Sequence, residues 1–210
     1  MRTRNMLMVA LTSAVSVSVQ ANTSLSALQN TWSVCQYQTL EAQKEGCFST
    51  LSQQAHEASR AKNDNDATLL IWSGIIDSSW AGAKGGLGAL SLVKQARTSL
   101  EKAIAIDPNA LDGSAWTSIG VLYYQVPGWP VGFGDKKKAD EMLKKALAIN
   151  PDGIDANYFY GDFLLKEGNA DEAKRYLEKA LHAPARQGRD IADNGRRREI
   201  GNALASIQSK

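Results

Sequence analysis

Three stretches of the chain repeat one another: LEKAIAIDP (Leu100 to Pro108), LKKALAINP (Leu143 to Pro151) and LEKALHAP (Leu177 to Pro184). Each sets an alanine three residues after its leucine and closes on a proline, and each follows an apolar segment with a glycine in its middle: Gly74, Gly120 or Gly161. A chain that repeats at this scale builds one supersecondary unit several times, and each copy buries its apolar face on the next. The spacing predicts an antiparallel pair of helices per copy, with the glycine allowing close approach and the leucine filling the space between the partners. No strand pattern is apparent. Such a stack offers surfaces for binding rather than an evident reaction chemistry.

The middle copy has Trp116, Ile119, Gly120 and Tyr123 on its first helix and Ala139, Leu143, Ala146 and Pro151 on and after its second. The C-terminal copy has Tyr158, Gly161 and Leu165, then Ala173, Leu177, Ala180 and Pro184, the proline coming one residue early. An earlier copy carries Leu70 and Gly74, then Ala96, Leu100, Ala103 and Pro108. From Asp66 to Pro184 this pattern resembles the tetratricopeptide repeat (TPR) family. The resemblance implies an all-α, right-handed α-solenoid of about three to four helix hairpins and a role in protein binding without catalysis. The expected organisation is a signal peptide over 1–21, an N-terminal helical hairpin over 22–65, repeats over 66–185 and a C-terminal capping helix over 186–210. Within 22–65 the expected helices are Ser26 to Glu45 and Phe48 to Lys62, broken near Gly46. The last helix, Asp190 to Ile207, should bury Ile200, Leu204 and Ile207 and turn Arg196 to Arg198 outward, since an arginine run is usually a solvated face.

The N-terminus bounds the compartment. Arg2 and Arg4 precede an uncharged run from Met6 to Val19 and the small-residue site Val19-Gln20-Ala21, the signature of a secretory signal and a periplasmic destination. The run is shorter than the ~20 apolar residues of a span, and no later segment approaches that length, so no membrane span is expected after cleavage. Without Arg2 and Arg4 the 24 basic residues fall to 22, equal to the 22 acidic ones, which removes any global charge argument for nucleic acid. Cys35 and Cys47 are the only cysteines. In an oxidising compartment they are expected to form a disulfide, and their spacing matches no zinc or redox motif.

Twelve residues separate the glycine from the next helix's alanine in the last copy, but 19 in the middle copy and 22 in the first. The surplus predicts two insertion loops, WAGAKGGLGAL (80–90) and QVPGWPVGFGD (125–135), lying along one edge of the solenoid. Trp80, Trp129 and Phe133 in these segments form either a rigid aromatic contact site or a plug completing the core. Counting from each glycine, one stripe of the first-helix face comprises Ile71, Ile75 and Ser78; Thr117, Val121 and Tyr124; Tyr158, Asp162 and Leu165. This stripe is either a concave contact surface or packing against other helices. GAKGGLG lacks the spacing and terminal Lys-Ser/Thr of a P-loop and follows no strand. Asp135 is a natural N-cap for a helix opening on Lys136, Lys137 and Lys138. His56 and His182 stand in no local metal or triad pattern, so neither cofactor, metal nor catalysis is expected.

The aromatic, glycine-rich insertion ahead of a lysine-rich second helix also resembles the T component associated with tripartite periplasmic (TRAP) transporters. That likeness implies holding or passing a small apolar ligand beside a substrate-binding protein. The expected partner is therefore a protein or peptide of the same compartment, with the small apolar ligand as the alternative.

Overall fold

A computed structural model describes residues 24–208, so the signal-peptide segment lies outside the described residues. Among them are nine helices and no strand: α1 (Leu25–Tyr37), α2 (Glu41–Ala61), α3 (Ala67–Lys84), α4 (Ala89–Ile106), α5 (Ala110–Gln125), α6 (Lys136–Ile149), α7 (Ile154–Lys166), α8 (Ala170–Leu181) and α9 (Asp190–Gln208). Successive helices pack as hairpins, and the hairpins stack in chain order into an α-solenoid capped by α9.

The three repeated glycines make the hairpins tight. A Cβ placed on Gly74, Gly120 or Gly161 would stand 2.6, 2.7 or 2.9 Å from the Cγ of Leu100, Leu143 or Leu177, so each leucine occupies the space its partner helix leaves empty. Those leucines, with Ala96, Ala139 and Ala173, have no exposed surface. Complete burial of each leucine contributes roughly 2 kcal/mol, and the identical contact in all three copies explains why the repeat is legible at all.

Side-chain caps set several helix starts. Asp66 accepts from the backbone N–H groups of Thr68 and Leu69 at 2.9 and 3.2 Å, and Asp135 accepts from that of Lys138 at 3.1 Å, as its position predicts. The first turn of α5 is unusual: Leu111, Asp112 and Gly113 wind left-handed, with φ of 49°, 55° and 74°. Glycine adopts that region freely, whereas leucine and aspartate are strained there.

Three features depart from the sequence reading. Gly46 lies inside α2, and the α1–α2 break falls at Gln38–Leu40, where the N–H groups of Gln38 and Thr39 and the Thr39 hydroxyl all donate to the Val34 carbonyl. Space around Gly46 is open, so the helix tolerates it at about 1 kcal/mol relative to alanine. The stretch 80–90 is mostly helical: α3 runs on to Lys84, α4 starts at Ala89, and the surplus residues lengthen that hairpin instead of forming a long loop. Arg196, expected to face outward, is buried.

Arg196 is buried because α9 does more than cap the last repeat. It packs on α7 and α8 and also meets α1, so the first helices of the hairpins and α9 close on one another. On α9, Gly195 faces the ring of Tyr37, a Cβ there falling inside normal contact distance. Arg196 donates to Asp155 at 2.8 Å and to Glu199, and its guanidinium lies 4.4 Å from the ring centroids of both Tyr158 and Phe159. Arg186 bridges Asp155 and Asp193, and Arg189 sits over Trp72. Paired charge and aromatic faces make burial of these cations tolerable. Burial opposes ionisation of Asp155, but Arg196 and Arg186 outweigh it and hold its carboxyl below the usual range. Burial raises the Tyr158 hydroxyl to about 12 and lifts that of Tyr37 well above its ordinary value.

Cys35 and Cys47 form a disulfide between α1 and α2, with Cα atoms 5.7 Å apart. It fixes the helix that carries Tyr37 into this seam.

Candidate functional site

The α5–α6 loop, Val126 to Asp135, is the long irregular segment within a hairpin. Its glycines allow the chain to fold back on itself: a Cβ on Gly132 or Gly134 would collide with the carbonyl oxygen of Pro127 or Val126. Backbone hydrogen bonds pin it, from Gly132 N–H to Gly128 C=O at 3.1 Å, Gly134 N–H to Pro127 C=O at 2.9 Å and Asp135 N–H to Tyr123 C=O at 2.8 Å. The loop is thus a shaped surface.

Its aromatic residues divide. Phe133 packs edge-on against Tyr123 with centroids 5.8 Å apart, under the Arg97 guanidinium at 4.9 Å. Trp129 faces solvent and is 89 % exposed, the most of any large hydrophobic side chain described. Between the loop and α4 lies a cleft of about 350 Å³, lined on one side by Pro130 to Phe133 and on the other by Lys94, Arg97, Thr98 and Glu101. Arg97 is held by Glu101 at 2.7 Å, and that hydrogen bond raises its already high pKa. Lys94 has no carboxylate within ion-pair distance among the described residues, which leaves a free cation beside an apolar wall.

The remaining expected residues are spread over two settings. Ile71 and Thr117 are buried in the core, and Ile75, Val121 and Leu165 are half-buried on the first-helix face. Trp80, half-buried near the end of α3, has Lys84 beside its ring and no partner for its indole N–H. Tyr124 donates to Asp162 at 2.7 Å, and Lys166 reaches the same carboxylate at 3.0 Å while lying over the Tyr124 ring. Tyr158 lies under Arg196. The part of the first-helix face near α9 is therefore covered, while Tyr124, Asp162 and Leu165 sit beyond it toward the loop edge. Trp129 and Phe133 share the α5–α6 loop, and Trp80 lies on the neighbouring hairpin.

Reading by local pattern misses the α4 side of the cleft and one polar cluster. Lys94, Arg97, Thr98 and Glu101 are the outward residues of a helix chosen for its inward leucine and alanines, and nothing in the sequence pairs them with a loop some thirty residues on. Asp77, fully buried, accepts from Ser52 Oγ at 2.6 Å and from His56 Nε2 at 2.8 Å, which clamps α2 to α3. Serine and histidine here share a carboxylate without touching each other, and Ser52 is buried, so the geometry is not that of a nucleophile with its base. Among the described residues no group of three or more His, Cys, Asp or Glu is placed to hold a metal ion, and no helix is long and apolar enough to cross a membrane.

Residues 132–192 match the tetratricopeptide repeat family. Solved structures similar to this chain include MamA, at 20 % identity over 80 % of this chain and 90 % of that one with a TM-score of 0.46. Another is a thermophilic TPR protein of Thermus thermophilus, at 18 % identity over 85 % of this chain and all of that one with a TM-score of 0.42. Among curated proteins no sequence match is found.

Proposed function

We propose that the protein is an exported, periplasmic, non-catalytic binding module that holds a protein or peptide partner in the cleft between α4 and the α5–α6 loop. The observation that carries this reading is the cleft itself: a loop pinned by its own backbone presents Pro130 to Phe133 opposite Lys94 and Arg97. Rigid apolar walls beside cationic groups suit an extended segment that carries one apolar side chain and a carboxylate. The match to the tetratricopeptide repeat family supports a protein partner, and the Cys35–Cys47 disulfide supports an oxidising compartment. Val121, Tyr124, Asp162 and Leu165 are half-buried on the first-helix face and do not line this cleft. A transport accessory holding a small apolar ligand would enclose it beneath Trp80, Trp129 and Phe133, but Trp129 stands in solvent and no observation favours that alternative.

The test is a photo-reactive residue at Thr98, irradiated in cells. Cross-linking to one defined partner that is lost in Arg97→Ala, with the protein recovered from the periplasmic fraction starting at Asn22, is the expected result. Absence of any cross-linked species from Thr98 or from Val131 would refute the cleft as the binding site.

A further inference from the structure

A second cleft, of about 580 Å³, opens where the first two helices meet the last, and its chemistry differs from that of the cleft beside the α5–α6 loop. Gln36 and Tyr37 at the end of α1 and Lys44 near the start of α2 form one wall. Arg198, Gly201 and Asn202 of α9 stand on the other, and their spacing of three and four residues puts them on one face of that helix. Among the described residues no Ala, Val, Leu, Ile, Met or Phe lines this space. An apolar ligand, or the apolar face of a partner helix, would therefore gain little by burial there.

The side chains of Gln36, Arg198 and Asn202 make no hydrogen bond or ion pair with any described residue. Lys44 pairs with Glu41 at 2.9 Å, an exposed contact of the kind that holds a lysine only weakly. The lining carboxylate is already taken, since Glu199 accepts from Arg196 and from the Tyr37 hydroxyl. Two cations and two carboxamides thus face the cleft without strong partners. Glycine at 201 is the second observation, because glycine inside a helix costs stability relative to alanine. Gly195 has a packing reason for that cost, as a Cβ there would collide with the Tyr37 ring. Gly201 has none: a Cβ there would meet no atom within 4 Å. Gly46 and Gly82 are open in the same way, but neither lines this cleft. At 201 the missing side chain keeps the α9 wall clear beside Arg198 and Asn202.

We infer that this second cleft binds a small hydroxylated anion, a sugar phosphate or a sugar acid. Arg198 and Lys44 meet its anionic group, and the Gln36 and Asn202 carboxamides meet its hydroxyls. Guanidinium and ammonium groups form charge-assisted hydrogen bonds to phosphate or carboxylate oxygens, and a carboxamide both donates and accepts, as a hydroxyl does. The volume falls within the range of small-molecule sites. A ligand there joins α1 and α2 to α9, so its binding favours the closed seam by mass action. The site lies apart from the α4 cleft and does not depend on that reading.

The test is a titration of the isotope-labelled protein, followed by NMR, with glucose 6-phosphate and with gluconate, and with glucose and inorganic phosphate as controls. The side-chain amide signals of Gln36 and Asn202 and the backbone amides of Gly195 and Gly201 are expected to shift with one of the two hydroxylated anions, and which one identifies the anionic group. Glucose or phosphate alone should bind at least about tenfold more weakly. Arg198→Ala should weaken binding about tenfold with the fold retained. Gly201→Leu should abolish binding while raising the unfolding temperature, because leucine favours the helix; a glycine kept for packing would lower it. Arg97→Ala should leave the titration unchanged while weakening partner cross-linking, which separates failure of this inference from failure of the cleft reading. Signals that move with neither glucose 6-phosphate nor gluconate overturn the proposal, and so does binding that survives both Gly201→Leu and Arg198→Ala. Inorganic phosphate bound as tightly as glucose 6-phosphate, with gluconate unbound, would mark an adventitious ion only and overturn it as well.

Discussion

The glycine–leucine contacts inside the hairpins and the arginine seam between α9, α7 and α1 both bury large side chains, yet by opposite means. Inside the hairpins the contact is apolar, identical in three copies and made by residues close in the chain: Gly74 with Leu100, Gly120 with Leu143, Gly161 with Leu177. At the seam it is ionic, occurs once and joins Tyr37, Asp155, Arg186, Arg196 and Glu199 from distant parts of the chain. The repeated contact makes a stack that could extend indefinitely. The single one ends it, by tying the first helix to the last.

That contrast breaks most sharply at Arg196. Its replacement by alanine leaves Asp155 with one cation fewer and removes the plate over Tyr158 and Phe159, so the expected cost is about 4 kcal/mol, read from urea unfolding. The seam also has a pH signature. Because the carboxyl of Asp155 titrates lower in the folded protein than in the unfolded chain, its contribution is complete above the ordinary carboxylate pKa of about 3.9 and is lost as pH falls below it. Tyr158 and Tyr37 are raised, so their contribution is complete below about pH 10 and is lost as pH climbs toward 12 and beyond. Stability measured against pH should fall at both ends in the wild type, and Arg196→Ala should flatten the acid limb. An acid limb unchanged by the substitution would mean that the seam is not what titrates.

The disulfide comes next. Opening the Cys35–Cys47 loop by a double serine substitution should cost about 3 kcal/mol. The loss should concentrate on α1, so amide exchange is expected to rise there and across the seam near Gly195 while α5 to α8 stay protected. Uniform loss of protection would show that the seam and the stack unfold as one unit and would weaken the contrast between them.

Inside a hairpin the expected effect is smaller and has a coupling that identifies it. Gly120→Ala forces a Cβ to 2.7 Å from Leu143 Cγ and should destabilise by about 2 kcal/mol. In a Leu143→Ala background the same change fills space, and its cost should vanish, giving a coupling of about 2 kcal/mol in a double-mutant cycle. A pair that proves additive would remove the steric basis of the repeat.

What can be read from the sequence tracks this division. The hairpins are legible because glycine, alanine and leucine recur at spacings that a helix pair imposes, so each copy corroborates the others. Arg196 is not, because an arginine run reads as a solvated face unless its partners are known, and Asp155 lies 41 residues away on a helix with its own reasons for an acidic first turn. The surplus residues at 80–90 read as a loop because glycines crowd them. Helix continuation to Lys84 follows from packing along α4, which local composition does not encode. In the candidate site, Trp129 and Phe133 stand out as aromatics among glycines. Lys94 and Arg97 do not, since a helix's outward residues gain meaning only from what folds over them.

The smallest expected effect on stability falls on the residue most exposed to partners. Trp129→Ala removes a side chain with almost no contacts in the fold, so unfolding should change by no more than about 0.5 kcal/mol, measured by urea titration. Phe133→Ala, four residues on, takes away the ring that joins Tyr123 to Arg97 and should cost about 3 kcal/mol and loosen the loop. The difference between these neighbours tests whether the loop separates support from contact. If the inward residue holds the shape, the outward one is free to vary without penalty to the fold, and a large tryptophan kept in solvent is then there for something outside the chain. Equal losses at the two positions would place Trp129 among the supporting residues and remove the reason for treating the tip as a contact surface.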